Sequence, residues 1–146
     1  MRKPRLPEFV EFGILPEEYA FLLLLPVFGV AWADGKVQPQ EVQKLLATTN
    51  TFASLGVSEQ HPIIDKWLKE PIDADYLSKG LDFLRDLSVH EDFSEITIPR
   101  LKEVLRLCQE VAKSSGGLLG LGAVSGAERK VMKALEQNIE FLERAR

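Results

Sequence analysis

The chain has 146 residues, 45% hydrophobic and 27% charged, which is enough to bury one core of ordinary size and too little for two. A net charge of -4 argues against a nucleic-acid partner, because phosphate tracking rests on clustered Lys and Arg. Cys108 is the only cysteine, which excludes an internal disulfide, leaves a Cys-based zinc site without ligands and fits a reducing cytoplasm.

The first 15 residues read as a tail or a short extra segment, with Arg2, Lys3 and Arg5 too few for more than a weak, salt-sensitive contact. These cations and the apolar run Phe21 to Val30, followed by Ala31-Trp32-Ala33, imitate a signal peptide. Glu8, Glu11, Glu17 and Glu18 stand between them and favour a retained segment instead. The charge-free stretch Tyr19 to Ala33 falls short of the roughly 20 residues a membrane span needs and contains Pro26. Apolar on every face, it is expected to be a buried helix at the centre of a bundle.

Pro16-Glu17-Glu18 opens that first long helix, which is expected to run to about Ala33 with a kink at Pro26. Asp34-Gly35-Lys36 makes a tight loop, and Pro39 starts a second helix carrying Val42, Leu45, Leu46 and Thr49, closed by Gly56. Pro62 starts a short third helix with Ile63, Ile64, Trp67 and Leu68, stopped by Pro71. Asp73 caps a fourth through Leu77, Leu81, Leu84 and Leu87. A fifth starts near Pro99, with Leu101, Val104, Leu105, Cys108 and Val111 on one face. The glycine-rich loop Gly116 to Gly122 leads to a last helix opened by Ser125-x-x-Glu128 and carrying Val131, Leu135 and Leu142 inward. Ile96-Thr97-Ile98 is too short for a strand. The expectation is an all-α, single compact bundle of about six to seven helices spanning 1–146.

Among possible sites, the pair Asp34 and Glu41 is the leading one. A loop aspartate and a first-turn glutamate can converge where glycine lets the chain turn, and two carboxylates can hold a cation. The plainer reading makes Asp34 a helix terminator and Glu41 a cap. Lys36 and Val37 exclude an EF-hand, whose ligands alternate through the loop. The Gly-Leu loop lacks the strand and the Gly-Lys-Ser/Thr ending of a phosphate loop, and reads as an apolar connector. His61 and His90 are isolated and read as structural, as do Trp32 and Trp67, expected core anchors. Ser88 to Asp92 has hydrolase residue types without a nucleophile elbow, and Cys108 falls on an apolar face where a thiol is inert. No enzyme is expected. Gly35-x-Val37-x-x-x-Glu41 recurs as Gly122-x-Val124-x-x-x-Glu128, placing a glutamate in the first turn of a helix each time.

Val30-Ala31-Trp32-Ala33-Asp34-Gly35-Lys36-Val37-x-x-x-Glu41, with Ser115 to Gly122 and Val124-Ser125-x-x-Glu128 later, resembles the TerB-like (tellurite resistance TerB) family. The resemblance covers the first two helices and the final loop and helix. It implies an intracellular all-helical bundle with a link to stress response, related to an accessory domain of J-domain co-chaperones. It also implies an acidic metal or partner site, which carries over to Asp34, Glu41 and, in the second copy, Glu128. The sequence departs from the family pattern at Leu121, where many members repeat the aspartate. The function expected is a non-enzymatic binding or scaffold module engaging a protein partner and a divalent cation. The alternative is a membrane-associated adaptor using the basic tail and the Gly-Leu loop.

Overall fold

The computed structural model describes residues 6–33, 35–116 and 126–145. Among these, all regular structure is helical: α1 (Leu6–Glu11), α2 (Leu25–Ala31), α3 (Pro39–Thr51), α4 (Pro62–Lys69), α5 (Ala74–Ser88), α6 (Ile98–Gly116) and α7 (Gly126–Ala145), with 3-10 turns at Pro16–Leu23, Ala53–Leu55 and Glu91–Phe93. None of these helices is long and apolar enough to cross a membrane.

Every residue of α2 is buried. It packs against α3, α5, α6 and α7, so a helix apolar all round occupies the centre, as a segment with no polar face must. Its approach to α5 depends on glycine. A Cβ at Gly80 would lie 2.1 Å from Leu25 Cδ2, and one at Gly29 would lie 2.7 and 2.8 Å from the two Leu77 methyls.

The expected single helix from Pro16 to Ala33 is in fact two elements. A 3-10 segment ends at Leu23, and Pro26 stands in the first turn of α2 rather than at an interior kink. Proline fits there because the first amides of a helix have no intrahelical acceptor to lose. Gly56 caps the 3-10 turn after α3 at φ 87°, not α3 itself. The segment before Pro16 is more than a tail: α1 and the turn after it bury Phe9, Phe12 and Ile14. Phe9 meets Phe83 edge-on with centroids 4.8 Å apart, and Phe12 stacks on the same ring at 5.7 Å.

The other helix starts follow local chemistry. Asp73 Oδ1 accepts the Tyr76 amide at 2.8 Å and caps α5, and prolines open α3 and α4. Leu77, Leu81, Leu84 and Leu87 of α5, Leu101, Val104, Cys108 and Val111 of α6, and Val131, Leu135 and Leu142 of α7 are all buried. Leu105 is only partly so, and Leu107 takes a core position the one-face pattern omitted. Asn138 Nδ2 donates to the Leu81 carbonyl at 3.2 Å and joins α7 to α5 inside the core.

Candidate functional site

The glutamates of the repeated motif occupy matching places. Glu41 lies in the first turn of α3 and Glu128 in the first turn of α7, and they are 0% and 4% exposed. First-turn acids ordinarily face water while they complement the helix dipole, as the exposed Asp75 of α5 does. Glu41 Oε1 accepts the Gln38 amide at 2.8 Å, so the capping role is present. Asp34, Ser125 and the glycine-rich stretch from Gly117 to Gly122 lie outside the described residues. Among those described, no three His, Cys, Asp or Glu side chains are gathered as a metal site would require.

Both histidines act as caps. His61 Nδ1 accepts the Ile63 amide at 3.0 Å to start α4, while Nε2 lies 2.8 Å from Glu18 Oε2. His90 Nδ1 accepts the Asp92 amide at 3.2 Å. Ser88 Oγ donates to the Arg85 carbonyl at 2.6 Å, a helix-end contact. Cys108 is fully buried, and desolvation pushes its thiol far above the usual range, so thiolate is disfavoured.

Trp67 is a core anchor at 1% exposure, whereas Trp32 is only partly buried. A polar relay connects them. Trp32 Nε1 donates to the Trp67 carbonyl at 2.7 Å, Trp67 Nε1 donates to Tyr76 Oη at 3.2 Å, and Tyr76 Oη donates to the Phe12 carbonyl at 3.2 Å. This chain fixes the indole of Trp32 at the end of α2.

Beside Trp32 opens a groove of about 730 Å³. Its wall is shared by three elements distant in sequence: Gly29 and Trp32 at the end of α2, Leu77 and Leu81 of α5, and Lys130 and Val131 of α7. Leu77, Leu81 and Val131 make an apolar floor, and Ser78 adds a hydroxyl at the margin. Its volume and its mix of apolar wall with few polar groups are those of ligand sites in general. Lys130 is the only ionisable residue among the described lining residues. Sequence reading missed this groove, since its parts are each unremarkable until the helices bring them together; Trp32 at the end of an apolar run was the one available signal. The groove extends to Ala33 and Gly126.

No family model matches the chain, and neither the curated proteins nor the solved structures contain a match to it.

Proposed function

We propose that this chain is a non-enzymatic, TerB-like binding module that engages a protein partner at the end of the bundle where α2 finishes and α7 begins. The groove between α2, α5 and α7 carries this reading: it is a concave, largely apolar surface. For the acidic residues Asp34, Glu41 and Glu128 the family resemblance implies a divalent cation. The burial of both first-turn glutamates supports a role for these carboxylates beyond that of solvated caps. A stress-response setting follows from the resemblance alone.

Site-specific photo-crosslinking in expressing cells tests the reading. Ser78→p-benzoylphenylalanine places the reactive ketone at the groove margin, and Gln109→p-benzoylphenylalanine places it on the exposed face of α6, away from the lining. A discrete adduct from position 78 and none from position 109 is expected. Equal yields from both positions contradict a partner site at the groove.

A further inference from the structure

The charge around the groove is uneven. On α7, Arg129, Lys130 and Lys133 are all exposed, and none has an ion-pair partner among the described residues. Lys130 lines the groove, and Lys133, three residues on, falls about 60° around the helix beside it. On α5, which forms the other wall, the charged residues next to the lining are already matched, Asp75 with Lys79 at 3.5 Å and Asp82 with Arg85 at 4.0 Å. A chain of net charge -4 therefore presents unmatched positive charge along one side of an apolar groove. The margins are small residues as well: Ala74 and Ser78 on α5, Ala134 on α7. Small side chains let a helix axis approach closely.

Resting on the reading of the groove as the binding site, we propose that its occupant is an amphipathic helix of a protein partner. That helix sets large apolar side chains on Leu77, Leu81 and Val131 and runs carboxylates along the α7 side against Lys130 and Lys133. This is helix-in-groove recognition, in which apolar anchors at i, i+3 or i+4 and i+7 fill the groove and flanking charge sets orientation. An acidic flank on the α5 side would gain little, since Lys79 and Arg85 there already pair with Asp75 and Asp82.

The test is selection of a displayed library of amphipathic helices, with randomised flanks, against the full chain. Recovered clones are then measured against Lys130→Glu/Lys133→Glu and against Ala134→Trp, which fills the groove from α7. Clones with an apolar stripe and Asp or Glu on one flank are expected. Affinity should fall at least tenfold on charge reversal and be lost with Ala134→Trp. Clones without acidic enrichment, clones indifferent to both variants, or no clones at all overturn the proposal. If position 78 still crosslinks in cells, the groove remains a partner site of another chemistry; if it does not, the underlying reading falls too. Flotation with phosphatidylglycerol vesicles, abolished by the same charge reversal, would assign the basic rim to a membrane and overturn the helix as occupant.

Discussion

Tyr76 holds the relay that fixes Trp32, and its hydroxyl serves two partners at once. Tyr76→Phe keeps the ring against Phe12, whose centroid is 5.2 Å away, but removes the acceptor for Trp67 Nε1 and the donor to the Phe12 carbonyl. A buried polar group left without a partner costs about 1–3 kcal/mol. Trp67 is 1% exposed, whereas Tyr76 is half-buried and admits some water. The expected loss is therefore about 2 kcal/mol, the lower part of the sum for two groups. At this chain length that lowers the melting midpoint by about 8 °C. Urea denaturation followed by helical circular dichroism measures it, and a double-mutant cycle with Trp67→Phe isolates the pair, for which coupling of about 1 kcal/mol is expected. A Tyr76→Phe protein within about 0.5 kcal/mol of the parent, or a cycle that adds without coupling, would refute the relay as a structural tie.

Other consequences follow from the packing and the caps. Gly80→Ala gains about 1 kcal/mol of helix propensity, yet its Cβ meets Leu25 at 2.1 Å, and Phe12 lies 3.6 Å away. Overpacking at about 1–3 kcal/mol outweighs the gain, so chemical denaturation should show net destabilisation, and a stabilised variant would contradict the α2–α5 packing. His61→Ala should cost about 1 kcal/mol by removing the α4 cap, with His61→Asn recovering part of it; unfolding midpoints equal across all three proteins would contradict the cap. Tyr19 is pushed up to about 12 by desolvation first and then by its 2.5 Å hydrogen bond to Glu95, and burial raises Tyr76 as well. Since a raised folded pKa favours the neutral phenol, that stability is complete below about pH 10 and is lost as pH rises towards 12. Ultraviolet titration should show phenolate forming later in the native chain than in urea. If the carboxylate loop takes a divalent cation, millimolar metal raises the parent's melting midpoint by mass action, and Asp34→Asn and Glu41→Gln lose the shift. A parent that no ion moves leaves Glu41 as a cap, a role that the side-chain amide oxygen introduced by Glu41→Gln would keep.

Much of the helical layout is legible in the sequence because single residues announce it. Pro39, Pro62 and Asp73 mark helix starts through a missing amide or a side-chain cap, and the leucine spacing of α5 marks its inward face. The same logic misplaced Pro26, since an apolar run gives no sign of where one helix ends and another begins, and proline fits a first turn better than an interior. α1 stayed hidden because Phe9, Phe12 and Ile14 are too few for a periodic signal, and Phe9 and Phe12 meet their ring partner Phe83 only across a long stretch of sequence. His61 gave no warning that its imidazole would meet Glu18, since that contact spans 43 positions. Of the candidate site, the matched placement of Glu41 and Glu128 was readable from their common spacing. The groove was not, because Trp32, Leu77 and Lys130 meet only through tertiary packing.

The claim that this chain acts through the groove is tested most directly by closing it. Ala134 is half-buried at its α7 edge, and Ala134→Trp fills the space while leaving the floor residues in place. Combined with the photo-reactive group at position 78, this substitution should abolish the cellular adduct while the melting midpoint stays within a few degrees of the parent. An adduct that persists at undiminished yield in the filled, folded protein would show that the partner is held elsewhere.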